Sequence, residues 1–281
     1  IGIGSVIAIM TVSSSLTTSI SDSFQEMGAN NVTVGIRQSS EEEEVSSRGL
    51  RFGAAAKNIS ADEEDYITDE MLDGLKKKFP EEIDAVAISE SIGSGTAGLS
   101  GSTSNVSVLG INEDYFRSSK ISLLAGRKIR KADLTGGKKV MMVSDKVVEN
   151  LFGGNNESAL AQKLSVSLDG NYYDYYIVGI YKYESGSNLS ESTDEDVVTT
   201  AYIPLTTGKE QIHSADGYSQ FTVVTSTGVE SVSDFAGRIE NFLSPYYADN
   251  EDYEIATSTM ESMTESMTDM ISTVSIAIAF I

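Results

Sequence analysis

Thr257-Ser258-Thr259-Met260-Glu261-Ser262-Met263-Thr264-Glu265-Ser266-Met267-Thr268-Asp269-Met270-Ile271 runs on through Val274 into Ser275-Ile276-Ala277-Ile278-Ala279-Phe280-Ile281. Met260, Met263, Met267, Met270 and Val274 recur at alternating spacings of three and four, which places them on one face of a long helix. The residues between them are mostly Ser, Thr, Glu and Asp, and the polarity fades from Ile271 onward. A Met stripe of this kind suits a packed core or a coiled coil. A stripe that ends in an apolar run also suits a stalk entering a membrane.

The other end of the chain mirrors this pattern. Ile1-Gly2-Ile3-Gly4-Ser5-Val6-Ile7-Ala8-Ile9-Met10 is apolar, and Val12, Leu16, Ile20, Phe24 and Met27 follow at helical spacing among Ser, Thr and acids. Neither apolar stub reaches the roughly twenty residues of a membrane span, and no basic region with a cleavage site marks a signal peptide. The expectation is a domain lying between two transmembrane helices. Val12, Leu16, Ile20 and Phe24 would then pair with Met260, Met263, Met267 and Met270 in two adjacent stalks.

The 281 residues carry 20 basic and 42 acidic side chains, a net charge of −22, and no Cys. Such a surface repels a phosphate backbone, so nucleic acid is not an expected partner. Disulfides and thiolate metal sites are excluded. The charge is uneven: between Arg117 and Lys146, nine basic residues face only Asp133 and Asp145. A run of this kind usually lies on a solvated surface. The alternative is a docking patch for an acidic partner, centred on Arg127, Lys128, Arg130 and Lys131.

Taken in order, Asn31 to Ile36 alternates as a strand, and residues 37–65 read as a long acidic loop. A helix capped by Thr68 and closed by Pro80 follows, with Asp69 and Glu70 in its first turn and Lys76 to Lys78 in its last. Ile83 to Ser89 returns as a strand. Gly93-Ser94-Gly95-Thr96-Ala97-Gly98 fits the dinucleotide glycine pattern, but no helix opens after it, so it is read as a hairpin tip. The middle third predicts short helices and strands, with a turn at Leu124 to Arg127, a Ser144-capped helix, and a hairpin turning at Asp169-Gly170. Strand, helix and strand then recur from Gln220 to Ala256. The expected fold is α+β: a layered α/β subdomain built from two strand–helix–strand halves, with an inserted mainly-β subdomain, on two terminal stalk helices. The boundaries are 1–29 for the first stub and stalk, 30–110 and 217–256 for the two halves, 111–216 for the insert, and 257–281 for the last stalk.

Gly4-Ser5-Val6-Ile7 and Met27-Gly28-Ala29-Asn30-Asn31-Val32-Thr33-Val34 resemble the first extracytoplasmic segment of MacB/FtsX-type ABC transporter permeases. Similar agreement is found at Val108 to Phe116, Leu124 to Arg127, Val143 to Gly153, Tyr176 to Ile180 and Ala201 to Thr207, in the family's order. The acidic segments 37–65 and 183–196 match no family motif. The resemblance implies a non-catalytic permease domain, porter-like in its α/β part, on the extracytoplasmic side of a bacterial cell membrane, here Gram-positive. It implies ATP on a separate cytoplasmic ATP-binding subunit or domain, with no cofactor in this domain. It further implies a second permease copy, an extracytoplasmic accessory protein, and export or extraction of a peptide, antibiotic or lipoprotein. A receptor or adhesion ectodomain without transport is the alternative.

Catalytic chemistry finds little to build on. His213 is the one histidine, so neither a His-based triad nor a multi-His zinc site is available. Asp249, Glu251, Asp252 and Glu254 lack the glycine of a calcium loop, and no P-loop occurs.

Overall fold

In the computed structural model, residues 30–39, 61–184, 197–262 and 264 are described. The first half comprises β1 (Asn31–Gln38), α1 (Asp69–Lys78) and β2 (Ile83–Ala87). Thr68 caps α1 by accepting from the Met71 N–H at 3.3 Å, and its terminal acids and lysines complement the helix dipole.

Beyond β2 the chain enters a second sheet through β3 (Ser89–Leu99) and β4 (Ser102–Ile111). It continues as α2 (Tyr115–Ser118), β5 (Leu123–Gly126), α3 (Lys131–Leu134), β6 (Val140–Ser144), α4 (Asp145–Phe152), α5 (Asn156–Ala159), β7 (Lys163–Leu168), β8 (Asn171–Tyr181), β9 (Thr199–Pro204) and α6 (Leu205–Ile212). It then comes back as β10 (Gln220–Thr225), α7 (Val232–Leu243) and β11 (Tyr253–Thr259).

The first sheet has the order β11-β1-β10-β2, antiparallel throughout. Neither half pairs with itself, because each inserts its partner's strand between its own two. This is the split strand–helix–strand arrangement of ferredoxin-like folds. Val32, Val34 and Ile36 alternate onto one face, where Leu72, Leu75, Phe79, Phe235 and Ile239 of the helical layer cover them. Phe79 meets Phe235 edge to face at 5.4 Å, a geometry aromatic rings favour.

The insert is a closed barrel. Its strands run β8-β6-β9-β4-β3-β7, and β7 pairs again with β8 to complete the ring, while β5 flanks β8. Val106, Val108, Met141, Val143, Leu164, Val166, Ile177, Ala201 and Ile203 point inward, all of them wholly inaccessible and in one core. A smaller third core gathers Ile111, Tyr115, Phe116, Tyr181 and Tyr202 on the side facing α2.

Several expectations move. The chain changes sheets at Ile88, not near Gly110, because β3 and β4 pair with β7 and β9. The glycine run 93–98 lies inside β3, and the hairpin tip is Ser100-Gly101. A Cβ on Gly95 would stand 1.8 Å from the Ser167 carbonyl oxygen, so glycine serves a close strand approach there. Leu124 to Arg127 is mostly the edge strand β5. Pro204 ends β9 and also opens α6, a helix that the sequence pattern does not reveal.

Candidate functional site

The two ends of the domain leave from neighbouring strands. Val32 lies opposite Thr259 in the antiparallel β1–β11 pair, so the start of one strand and the finish of the other share one end of the sheet. Thr259 then caps a helical turn. Its hydroxyl accepts from the Ser262 N–H at 3.1 Å, and the Ser262 hydroxyl accepts from the Thr259 N–H at 3.0 Å. The last helix therefore begins at Met260, three residues later than the expected boundary at Thr257. Met260 is half-buried. Val12, Leu16, Ile20, Phe24, Met263, Met267 and Met270 lie outside the described residues.

Close to this exit, the Asn31 side-chain amide donates to the Ser118 carbonyl at 3.0 Å, joining β1 to the insert. The insert is fixed to the first sheet at two further places. At the outer edge of β2, Asn112 Nδ2 donates to Val86 O at 2.7 Å and Asn112 Oδ1 accepts from Ile88 N at 3.0 Å. Asp114 accepts from Val86 N at 3.3 Å. Side chains from the barrel thus satisfy main-chain groups that an edge strand would otherwise expose. At the return crossing, Lys209 of α6 donates to the Ala215 and Gly217 carbonyls at 2.7 and 2.6 Å. It also pairs with Glu90 at 3.3 Å and lies over the Tyr218 ring at 5.1 Å. Tyr218 in turn bridges Ile67 through two main-chain hydrogen bonds of 2.9 Å and donates its hydroxyl to Asp69.

Lys209 therefore ties the barrel helix to the segment leading back into the first sheet. Its side chain is 15% exposed and that of Glu90 23%, so the pair is only partly screened. Replacing Lys209 with Met leaves Glu90 and two carbonyls without their cation, and is expected to lower stability by about 2 kcal/mol. Chemical denaturation checks this. Asn112 falls in a stretch that resembles the permease family, but nothing in the pattern marks its contact with β2, and no pattern marks the Glu90–Lys209 pair, whose members lie far apart in the chain.

The basic run divides in two. Arg127 makes a bidentate contact with Asp133, Nη1 to Oδ2 at 2.6 Å and Nη2 to Oδ1 at 3.0 Å, and the Asp133 side chain is wholly buried. Burial alone would raise the Asp133 pKa. The Arg127 hydrogen bonds, the Arg130 N–H and the charges of Arg127 and Lys138 outweigh it and hold the carboxyl below the ordinary aspartate value. Lys128 sits 5.1 Å from the Phe116 ring centre. Arg127 and Lys128 are thus engaged with the fold, and only Arg130 and Lys131 of the four are exposed.

Among the described residues no cluster of three His, Asp or Glu side chains could hold a metal ion, and no helix is long and apolar enough to cross a membrane. His213 ends α6 in the left-handed region, a cap and not a ligand position.

The fold is thus a ferredoxin-like sheet whose first and last strands are neighbours, with a closed barrel inserted between β2 and β10. The chain belongs to the family of MacB-like periplasmic core domains, whose sequence profile matches residues 1–242, and so is an extracytoplasmic domain of an ABC transporter permease. It is 25% identical over 182 residues to the uncharacterized ABC transporter permease YvrN of Bacillus subtilis, a match covering 65% of this chain and 40% of that protein. The chain thus spans less than half the length of that relative. Two solved structures share the fold. The periplasmic region of MacB from Actinobacillus actinomycetemcomitans superposes with a TM-score of 0.60 at 15% identity, covering 87% of this chain and 95% of that one. The extracellular domain of the noncanonic ABC-type transporter YknZ from Gram-positive bacteria gives 0.54 at 19% identity, over 81% and 100%.

Proposed function

We propose that the domain carries an ATP-driven conformational change across the membrane and uses it outside to export or extract a substrate, or to drive a partner. The single observation that supports this most is the pairing of β1 with β11. A relative movement of two stalks reaches the domain through these adjacent strands, and the Asn112 and Lys209 contacts pass it to the barrel. ATP is bound by a cytoplasmic ATP-binding subunit, and the permease works as a pair of copies with an extracytoplasmic accessory protein. The kinship with YvrN and the shared fold with YknZ favour a Gram-positive cell.

The native chain segment has no Cys, which gives a clean test. With Asn30→Cys and Glu261→Cys in the full permease, a short bifunctional maleimide is expected to join the two positions, and the linked complex to lose substrate-stimulated ATP hydrolysis. Efficient linking with unchanged hydrolysis would refute the coupling, and no linking would refute the side-by-side exit.

The charge of −22 further suggests a cationic peptide as the substrate, since an acidic surface raises the local concentration of cations. Binding of a Lys-rich peptide to the domain is expected to weaken steeply with added salt. A salt-independent affinity measured by calorimetry counts against that substrate class.

A further inference from the structure

We propose that the outer wall of the barrel binds an uncharged glycan strand. β8 alternates Tyr172, Asp174 and Tyr176 outward, against the inward Tyr175 and Ile177. Tyr172 is 77% exposed and Tyr176 54%. Four residues apart on one strand, the two rings stand about 13 Å from each other on one surface. The cross-strand neighbours continue this surface with hydroxyls: Ser167 lies opposite Tyr172, Ser165 opposite Asp174, and Thr96 of β3 beside Ser167. Ser107 of β4 follows beyond β3, facing Ser94.

The charge of this wall identifies the ligand. In a domain with more than twice as many acids as bases, its outward strand positions from Tyr172–Tyr176, Lys163–Ser167, Ser94–Gly98 and Thr103–Ser107 hold one acid and one base. Those two, Asp174 and Lys163, neutralise each other at 2.7 Å. Lys139 stands at the rim, its carbonyl accepting from the Tyr176 N–H at 2.9 Å. Lys139 is the single charge left over at this rim, too little to hold a charged polymer. An uncharged, hydroxyl-rich one finds donors and acceptors in rows and two rings on which sugar faces can stack.

A protein partner fits less well. Interface cores favour aromatic residues, Met and Arg, and are depleted in Ser and Lys, whereas serines and threonines surround these tyrosines. A wall built only for solvation would have no use for two rings that leave most of their surface to solvent. The site is separate from the chain ends and the basic run, and does not depend on what the permease moves.

The test uses the full chain with hexamers of β-1,4-linked N-acetylglucosamine and of β-1,4-linked glucose, titrated by calorimetry and by tyrosine fluorescence. Binding to at least one hexamer is expected, with an affinity that does not change between low and high salt. Tyr172→Ala and Tyr176→Ala should each weaken it about tenfold, and their exposure means that the thermal unfolding midpoint should stay put. Absence of binding to both hexamers, or binding that survives the double substitution, would overturn the proposal. So would retention of polyglutamate in preference to the hexamers, which would mark the wall as a surface for acidic protein.

Discussion

Arg127→Ala is expected to lower the unfolding free energy by about 3 kcal/mol at neutral pH, among the largest effects of any single charge removal in this domain. The substitution strands Asp133, whose side chain is wholly inaccessible, as a buried carboxylate. Removing one partner of a buried pair costs roughly 3–5 kcal/mol because the other charge stays desolvated. Lys138 remains at 3.6 Å with its side chain 48% exposed, so it compensates in part and holds the loss near the lower limit.

The pH dependence separates this account from a simple loss of packing. In the wild type the depressed Asp133 pKa contributes stability that is fully present above the unfolded value of about 3.9 and disappears as pH falls through the lower folded value. In Arg127→Ala burial is opposed only by the Arg130 N–H and the Lys138 charge, so the folded pKa moves upward from its wild-type value. The deficit reflects the charged Asp133 left without Arg127, so it should shrink on acidification as the carboxyl is protonated in both proteins. Denaturant titrations at several pH values check this, and a deficit independent of pH would show that the charge is not the cause.

Gly95→Ala is expected to destabilise the barrel by about 3 kcal/mol or more. Overpacking usually costs 1–3 kcal/mol when side chains can yield. Here the obstacle is the Ser167 carbonyl oxygen, 1.8 Å from the added carbon, with the Ser167 carbonyl carbon at 3.0 Å behind it. Only separation of β3 from β7 relieves such a contact, and that opens the ring between these two strands. Gly98→Ala is the control: its nearest contact is the Ser102 oxygen at 3.9 Å, so it should be close to neutral. Thermal unfolding of the two variants side by side decides the matter.

How much of this was legible in the sequence follows from the range of the interactions. Local signals read well. Thr68 and Ser144 cap the helices they were expected to cap, Gly153 ends α4 at φ 60°, and Asp169-Gly170 turns the β7–β8 hairpin with both residues at positive φ. The recurrence of strand, helix and strand predicted the two halves and their common sheet. What the pattern could not give was the interleaving of those halves, because strand order depends on contacts between residues such as Val34 and Phe221. The glycine run was misplaced for the same reason: its meaning lies in Ser167, on another strand. The basic run looked like one patch, yet Arg127 is drawn inward by Asp133, six positions away, while Arg130 remains outside. Of the junction residues, Asn112 lies in a stretch with a family likeness, whereas Glu90 and Lys209 left no local trace.

The strand order also dictates a timetable. β1 is flanked by β10 and β11, so both of its neighbours are made at least 180 residues later. Every strand pairing of the barrel, by contrast, lies within the insert, between Ser89 and Pro204. Contacts so distant along the chain form slowly because a long loop must close first. As the polypeptide is delivered to the outer side of the membrane, the barrel can close while β1 still waits unpaired. The sheet that joins β1 to β11 is then the last part to assemble, and only a chain delivered through Thr259 can complete it.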